Sequence, residues 1–256
     1  AKYGADAGLK TLGCPSFEKY QAASDKYNVA LLARDAGLMA PESKLLSSRE
    51  RSSDINSFRY PLVLKPRWSV VEKDDCIIKL PVRIVNNPEE LDKTLDGFER
   101  TGISAIAQEL VPGHGAGVFV LCRNGQTLAS FCHERVREKP PWGGVSTVSR
   151  IITLPYEIIE GAKRLMERLS WDGVAMVEFK WCPDSKKSYI MEVNARFWGS
   201  LRLACAAGLD LPYYVYCLAM EKTPPIPPGV GNARLRWLLG DLDQLLITLK
   251  SNQDPA

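Results

Sequence analysis

Val174–Ser200 reads VAMVEFKWCPDSKKSYIMEVNARFWGS, and the fold is decided there. Val174–Trp181 has strand composition, Pro183–Ser188 is a turn rich in breakers, and Tyr189–Val193 is a second strand. Pairing about the middle of that turn sets Glu178 opposite Glu192, on one face, with Cβ atoms roughly 5 Å apart. Two carboxylates so placed repel, so they either hold a cation between them or point into water. Asn194 falls on the face of Glu192, which makes the set all oxygen and suits Mg²⁺ better than a softer metal. A solvated hairpin face is the alternative. Against it, the flanking residues Met176, Val177, Phe179, Ile190, Met191 and Val193 are apolar, and acids inside such a strand need a reason to be there.

The rest of the composition narrows the class. The 256 residues are 45% hydrophobic and 25% charged, as in an ordinary soluble protein, with a formal net charge of +3. No run of Lys and Arg is dense enough for a nucleic-acid surface. The seven cysteines are scattered and never spaced C-x-x-C, which fits thiols in a reducing compartment, and two histidines are too few for a His-based zinc site. Asp210 and Pro212 interrupt the longest apolar stretch, so no membrane span is expected. With no signal peptide recognised at the start, the expected location is cytoplasmic.

Along the chain, Ser24 or Asp25 caps a helix over NVALLARDA that Gly37 closes, with Lys26 in its first turn against the helix dipole. YPLVLKP is a buried strand, and its Lys65 must send an ammonium to a partner or a cleft, phosphate being the obvious candidate. The segment from Arg67 to Val85 supplies a hairpin. NNPEELDKTLDGFERTG is a helix with an Asn cap, Pro88 at its first position and Gly102 beyond its end. ISAIAQELVPG is a short strand ending at Glu109 and Leu110. Two further strands turn at Asn124-Gly125, and alternation places His133, Arg135 and Arg137 on one face of the second. These three are either solvated or available to a carboxylate or phosphate. Gly143-Gly144 permits close backbone approach to a ligand, or only a turn. A helix follows Pro155, two more follow Gly199, and RWLLGDLDQLLITLK ends the chain as a strand or an amphipathic helix.

Lys26, Lys65, the QEL-V-P-G segment and Glu178 followed by EVNAR, in this order and spacing, resemble the ATP-grasp superfamily. The similarity is to the branch of carbamoyl-phosphate synthase large-subunit ATP-binding domains and predicted carboxylate-amine ligases, over about Ser24 to Ala219. The resemblance implies an α+β chain of ATP-grasp fold, two α+β lobes clasping ATP, with the family's N-terminal α/β domain largely absent. Residues 1–23 would be a remnant or linker, 24–112 the smaller lobe with its lid, and 113–250 the larger lobe with the metal site and acceptor side.

It also implies roles. Lys26 and Lys65 would contact the nucleotide phosphates, and Gln108, Glu109 and Leu110 would form the hinge that reads adenine and ribose. Glu178, Glu192 and Asn194 would hold Mg²⁺, as two ions, with Mn²⁺ able to substitute. Arg196 would stabilise the transferring phosphate and Arg135 the acyl phosphate, both as catalytic groups. His133, Gly143, Gly144 and Arg150 would line the substrate side. Three departures accompany the match. No glycine stands between Pro66 and Gly97 to make a Gly-rich lid, no second ribose residue is assigned within His114-Gly115-Ala116-Gly117, and Ala195 stands where many relatives have Pro. The implied activity is an ATP- and Mg-dependent carboxylate-amine ligase that forms C–N bonds through an acyl phosphate, releasing ADP and phosphate. Its partners would be a small-molecule carboxylate and an amine, with neither nucleic acid nor membrane, and a homodimer is admitted. The alternatives are a phosphotransferase on the same site and a non-catalytic ATP-binding module.

Overall fold

The computed structural model describes residues 13–47, 50–55, 57–73, 76–141 and 143–251. Ser16 caps helix α1 (Phe17–Ser24), and Asp25 caps α2 (Lys26–Asp35) by accepting from the N–H groups of Tyr27 and Asn28. After β1 (Ser43–Leu46) and β2 (Leu62–Pro66) comes a small hairpin of β3 (Val71–Lys73) and β4 (Cys76–Ile78), then β5 (Arg83–Val85). Helix α3 (Pro88–Thr101) begins at Asn87, whose side chain accepts from Glu90 N–H, and ends at Gly102 with φ 68°. Strand β6 (Ala105–Glu109) completes an antiparallel sheet of order β1-β6-β2-β5. Its inner face, Leu46, Leu62, Leu64, Val85, Ala105 and Ala107, is closed by Leu91, Leu95 and Phe98 of α3.

The remainder builds a larger sheet. Strands β7 (His114–Arg123) and β8 (Gln126–Lys139) are joined by Asn124 and Gly125, both at positive φ (50° and 80°), the primed turn that suits the twist of a tight hairpin. Next come β9 (Val145–Ile152), α4 (Tyr156–Arg168), β10 (Gly173–Cys182), β11 (Lys187–Asn194), α5 (Leu201–Ala206), α6 (Leu211–Ala219), β12 (Arg234–Arg236) and α7 (Leu238–Ser251). The six strands lie in the order β11-β10-β7-β8-β9-β12, all antiparallel.

Side chains alternate across this sheet, so it carries two cores. Val118, Val120, Ala175, Val177 and Phe179 pack against Val29 and Ala33 of α2 and Ala162, Leu165 and Met166 of α4. On the other face Phe119, Leu121, Phe131 and Met176 pack against Trp198, Leu211, Tyr214 and Leu218. That second core covers only part of its face. Beyond it lie Arg135 and Glu178, which border the cavity between the two sheets.

The fold is the α+β two-lobed arrangement expected, with three differences. The segment assigned to a remnant contains α1, since Ser16 caps it and Ala23 is buried; residues 1–12 lie outside the described residues. Helix α2, placed with the smaller lobe, puts its apolar side chains into the core of the larger sheet. The final segment is both a strand and a helix, split at Trp237, whose N–H donates to Thr147 O at 2.7 Å. No helix among the described residues is long and apolar enough to cross a membrane.

Candidate active site

Glu178 and Glu192 face one another across β10 and β11, in the register the hairpin predicts. A bulge follows at Glu178/Phe179, where the ladder resumes at Ile190, and the extra residue, Met191, lines the adjoining cavity. The carboxylates are not left to repel. Arg135 Nη2 is 2.7 Å from Glu178 Oε2, Lys26 Nζ is 3.7 Å from Glu192 Oε2, and Asn194 Nδ2 donates to Glu192 Oε1 (2.9 Å) and Glu178 Oε2 (3.3 Å). Burial holds the Glu178 carboxyl above the usual range, Glu192 pushes the same way, and Arg135 pulls against both.

Arg135 arrives from β8, two strands away from β10. The strand between, β7, carries Gly115 and Gly117 on the intervening face. A Cβ at Gly115 would lie 2.7 Å from Arg135 Cδ and 2.7 Å from Glu138 Oε1. The missing side chain is the passage through which the guanidinium reaches Glu178. Its other nitrogen, Nη1, donates to Glu138 Oε1 (3.0 Å) and Gly144 O (3.1 Å), so Arg135 ties the acid pair to the Gly143-Gly144 loop. Glu138 was not singled out in the sequence; the alternating glycines of GHGAG were the available signal.

The lysines come from opposite sides. Lys26 N–H donates to Arg67 O, and its Nζ donates to Ser69 Oγ at 2.6 Å. Arg67 in turn grips Asp25 through two nitrogens at 2.8 and 2.6 Å and lies over the Trp68 ring. The segment lacking glycine is held at its start by these side chains; Asp74 and Asp75 lie outside the described residues. Lys65 Nζ donates to Gln108 Oε1 (2.9 Å), and Gln108 Nε2 to Ser43 Oγ (2.8 Å). Burial, and then the neighbouring Lys26, push Lys65 down to about 8; burial also lowers Lys26, against the pull of Glu192.

Two cavities meet on this platform. The first, about 680 Å³, runs between the sheets, with Lys26, Lys65, Gln108, Glu109 and Leu110 on its wall and Val63, Ile84 and Val111 forming an apolar slot. The second, about 490 Å³, lies over the larger sheet and is bordered by His133, Asn194, Arg196, Ser200 and the rings of Trp198 and Trp237. Arg135, Gly144, Glu178 and Glu192 border both. Both volumes are in the range of small-molecule sites.

Two expected residues stand differently. Arg150 pairs with Glu134, which also contacts His114 Nε2 at 2.7 Å, and it borders neither cavity, because residues 134 and 150 oppose one another on the α4 face of the sheet. Arg137 leaves the row of His133 and Arg135, since the register slips on both sides of it and Asp241 holds it at 2.9 Å. His133 borders the second cavity as a neutral ring. It stacks on Phe119 at 4.1 Å, shares Nε2 with Ser200 Oγ, and is pushed down to about 3 by burial, with Arg135 adding to the shift. Arg196 is exposed in the second cavity, its Nη1 donating to Phe197 O.

Comparison with known proteins places this geometry. Residues 104–239, more than half of the chain, match the family described as ATP-grasp in the biosynthetic pathway with Ter operon. The chain belongs to this ATP-grasp family. Its fold is similar to that of the L-amino acid ligase from Bacillus licheniformis, with a TM-score of 0.63 and 19% identity over 86% of this chain and 52% of that one. The D-alanine–D-alanine ligase from Bacillus anthracis complexed with ATP gives 0.60 and 19%, covering 80% of this chain and 67% of that one. The biotin carboxylase β-γ-ATP complex from Campylobacter jejuni gives 0.68 and 15%, covering 90% and 53%. This ATP-grasp chain thus spans about half the length of the first and the third of these enzymes.

Among the described residues no group of three or more His, Cys, Asp or Glu side chains stands ready for a metal ion. The opposed pair Glu178 and Glu192 with the Asn194 amide is nevertheless a hard-oxygen set, two charges and a carbonyl on one face, and it fits Mg²⁺. The amide oxygen faces that set after a turn of the Asn194 side chain, whose nitrogen now bridges the carboxylates.

Proposed function

We propose that this chain carries the nucleotide and acceptor sites of an ATP- and Mg²⁺-dependent carboxylate-amine ligase. One observation carries the reading: two cavities, one bordered by two buried lysines, share a border made of Glu178, Glu192 and Arg135. ATP would occupy the first, its base in the slot beside Leu110 and its phosphates toward Lys26 and Lys65. A small carboxylate would enter the second. The phosphoryl group then passes across the shared border, where reactants held on either side meet in line.

The residues would act by charge and alignment. Glu178, Glu192 and Asn194 would hold Mg²⁺, which supplies charge neutralisation on the phosphates. Lys65 and Lys26 offset phosphate charge from the side of the smaller sheet. Arg196, at the second cavity, would stabilise the phosphate as it is transferred, and Arg135, between the cavities, the acyl phosphate that results. The carboxylate needs no base for the first step because it is already a nucleophile. Attack of an amine on the acyl phosphate then forms the C–N bond and releases phosphate. His133 is neutral at physiological pH and buried, so it lends shape to the second cavity and no charge. Mn²⁺ in place of Mg²⁺ fits the same oxygens.

Screening acids and amines for ADP and phosphate release tests the proposal. The expected result is release that needs both substrates and a divalent cation. A phosphorylated product formed without amine would assign a phosphotransferase instead, and ATP binding without turnover on any pair would assign a binding module.

A further inference from the structure

Helix α7 is built inside out. Its six leucines, Leu238, Leu239, Leu242, Leu245, Leu246 and Leu249, are each between 48% and 69% exposed. At ~100° per residue they fall within one arc of about 120°, the width of an ordinary core-facing stripe. Yet this stripe faces away from the fold. The side turned to β8 and β9 carries Gly240 and Asp241, and it is fastened by polar bonds. Asp241 is 4% exposed and receives Thr147 Oγ1, Arg137 and Arg236, while Lys139 pairs with Asp243. A surface helix normally buries the apolar side and solvates the polar one. Here the polar side is the anchor, and among the described residues nothing covers the apolar side.

We infer that α7 is a self-association surface, and that two copies of this chain pair through it with their α7 helices antiparallel. The exposed seam, Leu238-Leu242-Leu245-Leu249, is spaced four, three, four, the repeat of a helix–helix seam. That spacing reads the same in both directions. An antiparallel copy therefore sets Leu238 against Leu249 and Leu242 against Leu245 throughout, with Leu239 and Leu246 closing one flank. A two-fold interface demands such self-complementarity. Opposed helix dipoles favour the same direction. Burying the six leucines and the ground around them removes roughly 500 Å² per copy, so the pair reaches the ~1,000 Å² of a specific contact. A membrane surface fits less well, because helices that lie in lipid carry Lys and Arg opposite the apolar side, whereas this one carries acids bound to the sheet.

Sedimentation and light scattering over a concentration series test this directly on the whole chain. The expected mass rises from 28.4 kDa toward twice that value. Leu242→Glu with Leu245→Glu should weaken association at least about ten-fold and leave the circular dichroism unchanged. The corresponding double Lys variant should also be monomeric, and mixing the Glu and Lys variants should restore the doubled mass as a mixed pair. Wild-type chain that stays at the monomer mass at every concentration overturns the inference, as does a dimer that persists in the Glu variant. Flotation of monomer with anionic vesicles would assign the face to lipid and overturn it too.

Discussion

Lys65 is a cation kept where it costs stability. The residue is 6% exposed, and its ammonium donates to Gln108 and has been pushed from 10.5 to about 8. Between pH 8 and 10.5 the unfolded chain binds the proton more readily than the folded one, so stability rises with pH across that window and the cost is complete below it. Lys65→Met should therefore raise stability at pH 7, by up to about 3 kcal/mol, with the gain fading as pH climbs to 10.5. The same change should abolish high-affinity ATP binding. Denaturant titrations at pH 7 and 10 with nucleotide titrations check both; equal stability of the two proteins at pH 7 would show that the buried charge costs nothing. At the acid pair, Glu192→Gln should remove divalent-dependent ADP release while leaving the melting temperature nearly unchanged. Gly115→Ala puts a methyl where Arg135 crosses, and should lower turnover about ten-fold or more with only a small loss of stability. Normal turnover in that variant would dissociate Arg135 from the reaction. The opposition of Glu178 and Glu192 was legible because a period of two fixes faces within one hairpin. The bond from Arg135 to Glu178 was not, since it depends on a third strand having no side chain between them, and neither did the sequence tell Arg150 from Arg135 before the pairing of β8 with β9 was known.

At the scale of elements, local chemistry carried the reading wherever a cap or turn stood in the sequence. Asn87-Pro88 and Gly102 bound α3, and Asn124-Gly125 closes the β7–β8 hairpin, because each of these residues satisfies a backbone demand by itself. Partners were harder. The apolar stripe of α2 did not say which sheet would cover it, and RWLLGDLDQLLITLK, read as a strand or an amphipathic helix, did not say that the polar side of α7 would be the one bound. Asp25 shows how an element end becomes part of the site. Its carboxylate caps α2 at Tyr27 and Asn28 and accepts from two nitrogens of Arg67, so the first turn that carries Lys26 is fastened to the residue that follows the strand carrying Lys65. Asp25→Ala should cost about 2 kcal/mol, the loss of a cap together with a half-buried ion pair. It should also weaken ATP binding by moving Lys26, even though Asp25 contacts no nucleotide in the proposed site. Stability lost with affinity intact would limit Asp25 to a structural role.

For the whole molecule, the first cavity is bounded by both sheets, and among the described residues the bonds near it that cross from one to the other include Lys26 N–H to Arg67 O, Arg67 to Asp25 and Lys26 to Ser69, and are few. A ligand that touches Lys65 and Gln108 on one side and the acid pair on the other adds links where few exist. Such a ligand binds the folded chain alone, so at about 100 times its dissociation constant it should stabilise by about 2.7 kcal/mol. For ATP this gain should depend on a divalent cation, because without one the triphosphate approaches two carboxylates whose charge is offset in part by Arg135, Lys26, Lys65 and an amide. The melting temperature should therefore rise by several degrees with ATP and Mg²⁺ together and by much less with ATP and a chelator. Trypsin cleavage around β3 and β4 should slow in parallel, since Ser69 and Arg67, which lead into that hairpin, are held by the site itself. If ATP protects the chain equally with and without the cation, the acid pair does not face the phosphates, and the nucleotide must lie elsewhere in the cavity.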